Sequence, residues 1–183
     1  MSPRLRKLAL TAHVTSSVGW LGAVAVFVVL AVVGLTGQDA QTVRGAYFAM
    51  ELTGWFALVP LSFASLLTGL VQALGTAWGL FRHYWVVFKL LINVVATVLL
   101  LVHMRVVGHV ADAAARATLS GGDLVGMRIQ LLADAAAALL VLVVAVALSV
   151  YKPKGLTRYG WHRQHESRAR QRLAVQEDPA VAA

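Results

Sequence analysis

Four charge-poor apolar runs dominate the sequence, and they leave few folds open to it. A hydrocarbon core about 30 Å thick is crossed by about 20 helical residues at roughly 1.5 Å each. Residues 8–36 carry no formally charged side chain. Residues 47–75 carry Glu51 near their start and Pro60 in the middle, 84–107 contain Lys89, His103 and a closing Arg105, and 129–151 hold Asp134 in their first turns. Period-two alternation is missing, and the runs are too long and continuous for barrel strands. In lipid the backbone must satisfy its own hydrogen bonds, which leaves helices. The expectation is an all-α fold: a polytopic bundle of four transmembrane helices over 1–151, then a basic tail over 152–183. The last residues, 176–183, have the composition of disordered chain.

Composition supports the same class by exclusion. The 183-residue chain is 59% hydrophobic and 13% charged, against about 45–50% and about a quarter in soluble domains. A globule this small cannot hide so many apolar residues, which excludes a soluble globular enzyme. The chain has no cysteine, which removes disulfides, thiolate metal sites, iron–sulfur clusters and cysteine nucleophiles. There is no phosphate-binding glycine loop, no metalloprotease helix motif and no Ser-His-Asp set in an aqueous pocket. Arg4, Arg6 and Lys7 ahead of the first run, with Ala23-Val24-Ala25 inside it, imitate a secretory signal. The run continues about ten residues past that point, so an uncleaved first span is expected.

The net charge of +8 is explained by where the basic residues sit. Arg4, Arg6, Lys7, Arg82 and seven residues of the tail (Lys152, Lys154, Arg158, Arg163, Arg168, Arg170 and Arg172) fall on one side, eleven in all. Arg44, Arg105, Arg116 and Arg128 fall on the other, and Lys89 lies within a span. The positive-inside rule then places both termini in the cytoplasm of a bacterial cell, with the bundle in its inner membrane. Trp78, Phe81, Tyr84 and Trp85 cluster where the second and third spans would meet that interface. The tail beside the last span, with Lys152, Lys154, Arg158 and Arg163, suits anionic lipid headgroups, at about 1 kcal/mol per basic residue, and not nucleic acid. Residues 37–46 read as a short polar loop, and a tight turn is expected around Gly79. The Ala-rich stretch 111–117 followed by Ser120-Gly121-Gly122-Asp123 reads as helix, stop and N-cap. Spans three and four are therefore expected to project outward as a helical hairpin.

Ionisable groups inside spans are costly, and they are the functional leads. His13, with Thr11, Thr15, Ser16 and Ser17 around it, and Lys89, with Asn93 one turn deeper, form a polar layer near the basic end. Glu51, His103, Arg105 and Asp134 form a buried polar layer toward the other end. Met50, Met104 and Met127 lie at that same depth, with His109 one turn further out. Thioether and imidazole groups ligate Cu(I) and haem iron, so His103, Met104, His109, Met50 and Met127 are candidate copper ligands. The alternative is that the methionines pack helix interfaces while Glu51 pairs with Arg105 or His103. Lys89, Asn93, Ala96, Leu100 and His103 share one face of span three, while Arg105 and His109 lie on another. His13, Ser17, Trp20 and Val24 share a face of span one. Fourteen residues separate Lys89 from His103, roughly 21 Å along a helix. One porphyrin should therefore not be bridged by His13 and His103 together.

His13, Trp20 and Gly22 form His-x6-Trp-x-Gly in the first span, and Trp85, Lys89 and His103 form Trp-x3-Lys-x13-His in the third. This pattern resembles the four-helix membrane superfamily that includes HemJ-type protoporphyrinogen oxidases, the copper-resistance CopD membrane domain and further bacterial integral membrane proteins. The Ala/Val/Gly-rich style is similar to that of actinobacterial members. The resemblance implies haem b or copper as cofactor, with His13 and Lys89 as haem or active-site residues and His103 as a further one. No Leu-Pro-Arg segment follows Trp20, which speaks against protoporphyrinogen oxidation in particular. Three functional classes follow: a haem- or copper-associated redox or handling protein, a small transporter working as a homo-oligomer, or an accessory subunit of a larger membrane complex.

Overall fold

The computed structural model describes residues 2–75, 84–116 and 122–151, with the single positions 161 and 176. Four long helices account for nearly all of them: α1 (Pro3–Thr36), α2 (Ala40–Gly75), α3 (Tyr84–Ala115) and α4 (Gly122–Tyr151). All four are long and apolar enough to cross a membrane, so the chain is a multi-pass membrane protein with the expected all-α fold. The turn around Gly79, the aromatics Trp78 and Phe81, Ser120-Gly121, and Lys152, Lys154, Arg158 and Arg163 of the tail lie outside the described residues.

Each helix begins earlier or ends later than its apolar run, and the local chemistry explains why. Ser2 caps α1, accepting from the Leu5 amide, and Pro3 sits at a first position that needs no amide hydrogen. The stretch 37–46, expected as loop, is mostly the first turns of α2. Asp39 accepts from both the amide and the hydroxyl of Thr42, at 2.7 Å each. Hydropathy finds the part of a helix that meets lipid, and this turn is polar without being irregular. α3 runs on to Ala115 and α4 starts at Gly122, so both helices extend past their apolar runs as expected of a helical hairpin. At 30 to 36 residues the helices are roughly 45–54 Å long, well beyond a 30 Å core.

α2 widens to a π-helical turn over Gly54–Leu58. Pro60 follows after Val59; it offers no amide hydrogen, and its ring crowds the carbonyl four residues earlier, so the ladder slips by one residue ahead of it. Gly54 opens the widened turn against α3, and any Cβ there would meet the Met104 thioether.

The helices pack in ring order α1–α2–α3–α4, each against its two chain or ring neighbours, with hardly any diagonal contact. The apolar core is unevenly distributed. Phe27, Ala31, Val43, Tyr47, Met50, Met104, Val107, Val110, Ala111 and Leu131 all belong to the end where the helices outrun their apolar spans. Val43, Val110 and Ala111 lie beyond the apolar runs and the others inside them, where close fit rather than burial from water holds helices together.

Two arginines tie this end together. Arg128 of α4 donates from Nε to the Tyr47 hydroxyl (2.7 Å), and from Nη2 to the carbonyls of Gly34 (2.6 Å) and Leu35 (3.3 Å). Arg44 of α2 donates to the Ala114 carbonyl at 3.1 Å. Each places a cation on the last, otherwise unpaired carbonyls of a neighbouring helix, where the helix dipole is negative. Gly34 is required here, because a Cβ would stand 2.7 Å from the Tyr47 ring.

Candidate functional site

The opposite end of the bundle is hollow. A cavity of about 730 Å³ is walled by all four helices, among them His13, Ser17 and Trp20 of α1, Ser65 and Gly69 of α2, Trp85, Lys89 and Asn93 of α3, and Leu142 and Ser149 of α4. Its size and its mostly apolar wall with a few converging polar groups fit a small-molecule site.

His13 is held by α2. Its Nδ1 lies 3.1 Å from the Ser65 carbonyl and 3.1 Å from the Thr68 hydroxyl. A carbonyl can only accept, so the proton sits on Nδ1 and Nε2 keeps its lone pair. A ring nitrogen fixed in this way by a carbonyl is the usual second-sphere arrangement of a ligating histidine. The ring also lies against Gly69, where a Cβ would come within 3.0 Å of Cε1. Around it, the Ser16 hydroxyl donates to the His13 carbonyl at 3.1 Å, and the Ser17 and Ser65 hydroxyls bond each other at 2.8 Å. Gln72 donates to the Ala9 carbonyl at 3.0 Å. Thr11 bonds its own helix, at the Lys7 carbonyl, and Thr15 is exposed. Lys89 reaches across to α4, donating to the Ser149 hydroxyl at 2.6 Å, which in turn donates to the Ala145 carbonyl at 2.8 Å. Asn93 is buried beneath it, with Thr97 bonding the Asn93 carbonyl at 2.8 Å.

His103 stands apart from this cavity, as the helical rise requires. Its Nδ1 is 3.2 Å from Asp134 Oδ2, and its ring tilts against Phe27 with centroids 6.1 Å apart. Its Nε2 is buried without a hydrogen-bond partner among the described residues. The carboxylate partner of His103 is thus Asp134 of α4, and not Glu51, which is half-buried opposite Gly108.

Two of the four residues expected as buried polar groups are corrected. Arg105 is exposed, and Asp134 is 49% exposed, because both lie toward the end where the helices outrun the apolar spans and their faces turn outward. Asn93 is buried as expected. Met50 and Met104 are fully enclosed in the apolar core, Met127 packs against it, and His109 is exposed. Among the described residues no group of three or more His, Asp or Glu side chains gathers as a metal site.

Spacing within one helix did not reveal Ser65, Thr68 and Ser149, the partners of His13 and Lys89. Their only sequence signal is the presence of hydroxyls inside apolar runs, three residues apart in α2. Arg128 and Tyr47 were missed likewise, since an arginine in an outer connection reads as solvated charge. Comparison with protein-family models, with curated proteins and with solved structures gives no match for this chain.

Proposed function

We propose that this protein binds a tetrapyrrole, haem b or a close relative, in the cavity at its basic end. His13 is the residue that would coordinate the iron. The observation that carries the reading is the anchoring of His13, whose Nδ1 lies 3.1 Å from the Ser65 carbonyl; this leaves Nε2 as the nitrogen that would ligate, in a residue lining a largely apolar cavity of about 730 Å³. Lys89 and Arg6, cations lining the same cavity from α3 and α1, suit the propionates of such a ligand, and Trp20 and Trp85 suit its flat apolar faces. Bound haem would supply one-electron chemistry at its iron; the chain's part is to position, shield and charge-balance it. The resemblance of His13, Trp20, Trp85 and Lys89 to the four-helix superfamily points the same way.

Copper is the weaker reading, because Met50 and Met104 already fill the core and His109 faces outward. A transport path would have to cross the layer of Trp20, Val24, Phe27 and Leu58, so a one-sided site is favoured over a channel. The proposal sets the basic end at the cytoplasmic face of a bacterial inner membrane, on the distribution of lysine and arginine.

The test is an ultraviolet–visible spectrum of protein purified in mild detergent from haem-replete cells. A Soret band is expected, lost in His13→Ala and retained in His103→Ala. Colourless wild-type protein overturns the reading.

A further inference from the structure

The lining of the cavity records which way it opens. On α2 and α3 every lining side chain is buried or half-buried. On α1, Leu10, Val14 and Val18 line the same space yet are exposed, as are Val146 and Val150 of α4. α1 and α4 are ring neighbours, clamped at the far end where Arg128 grips Gly34 and Leu35. At the cavity end the flanks of their seam are open: Val14 is 50% exposed and Val146 39%. These positions fall inside the apolar spans, so what they face is acyl chain. Over this depth the rim is leucine and valine, where a mouth facing water would be polar; the cations mark its shallow end, Arg6 exposed one turn before Leu10 and Lys89 held on Ser149, next to Val150.

We propose that the cavity is loaded sideways from the bilayer, through a portal between α1 and α4, by a lipid-dissolved amphiphile that carries carboxylates. Its apolar body slides between Val14 and Val146 toward Trp20 and Leu142. Its acidic groups stay at the shallower level of Arg6 and Lys89, close to the headgroups of the leaflet at the Arg6 end. The identity of the ligand rests on the tetrapyrrole reading; the route does not, and it is tested separately.

The route is read with Trp20 as sole tryptophan (Trp55, Trp78, Trp85 and Trp161 each →Phe), in vesicles of phosphatidylcholine brominated on its acyl chains. Trp20 is only 3% exposed and lines the cavity, so bulk lipid reaches it by no other way. Bromine quenching needs near contact, and a loss of about twofold in Trp20 emission is expected. Val14→Phe with Val146→Phe should restore the emission, and Val14→Ala with Val146→Ala should deepen the quenching. Unquenched Trp20, or quenching indifferent to both pairs, overturns the portal.

In the second arm, haemin is dissolved in plain vesicles before the protein is added, and growth of the Soret band is followed. The Phe pair should load about tenfold more slowly, since narrowing a route acts on the association rate, and should reach the same final occupancy. Equal loading rates overturn the route. If no Soret band forms in wild type while Trp20 still answers to both valine pairs, the tetrapyrrole reading fails and the portal stands.

Discussion

At the scale of single residues, the two histidines inside the spans differ in what they leave unpaired. His13 spends one nitrogen on α2 and lines the cavity. His103 spends one on Asp134 and leaves Nε2 buried against apolar neighbours. An unpaired buried polar atom costs about 1–3 kcal/mol, whereas removing both partners of a pair is nearly neutral. Asp134→Ala alone should therefore destabilise, by up to about 1 kcal/mol because the carboxylate is half-exposed, and adding His103→Leu should recover most of that loss. Thermal unfolding in detergent of the two singles and the double reads this, and a double variant worse than either single would contradict it. The faces of these residues were legible in the sequence, because period 3.6 places Lys89, Asn93 and His103 together on α3. Their partners were not. Periodicity fixes the phase of a helix about its own axis but says nothing of how far one helix is slid along the next. The choice of Asp134 over Glu51 for His103, and of Ser65 and Thr68 for His13, depends on that slide.

At the scale of elements, the helix ends are set by a few polar contacts, each with a measurable consequence. Two hydrogen bonds from Thr42 hold the Asp39 carboxyl below its ordinary value of 3.8. A carboxylate with a lowered pKa stabilises the fold above its unfolded value and stops doing so as pH falls through the folded one. The first turn of α2 should therefore fray only in acid, seen as faster amide exchange at Thr42. Asp39→Asn should keep the cap and remove that pH dependence. The turn carries an acidic cap followed by Thr42, which is a helix-start signal that hydropathy alone overlooks. At the other termini, Arg128→Met removes donors to two carbonyls and a phenol, and a loss of about 2–4 kcal/mol is expected in detergent melts. Arg128→Lys should recover only part of it, since an ammonium cannot reproduce the planar fork. Gly34→Ala should be comparably harmful, because the Tyr47 ring it would strike is itself held by Arg128.

At the scale of the whole molecule, the four spans and their all-helical class could be read directly, since a run of apolar residues long enough for lipid admits almost no other structure. The division into a packed end and a hollow end could not be read. Apolar residues fill both halves, and what separates them is whether side chains from facing helices meet: Met50 and Met104 do, whereas Leu10 and Val150 leave space. Swapping bulk between the halves should have opposite effects. Met104→Ala opens a hole in a dry core and should cost about 2–5 kcal/mol. Leu142→Ala enlarges a space already present, and should cost less in the same melts while altering any ligand spectrum. The reverse ranking would place the packing of the bundle elsewhere.

The Arg128 clamp also limits how the bundle can move. Fastened together at Gly34, Tyr47 and Arg128, the helices are bonded at the cavity end in two pairs, α1 to α2 through His13 and Ser17 and α3 to α4 through Lys89, an arrangement that would let the pairs hinge like tweezers. Opening and closing are then confined to the leaflet beside Arg6, and the grip can tighten on a guest without exposing it to the opposite compartment. On the ligand reading proposed above, such a molecule would hold its guest and return it to the side from which it came.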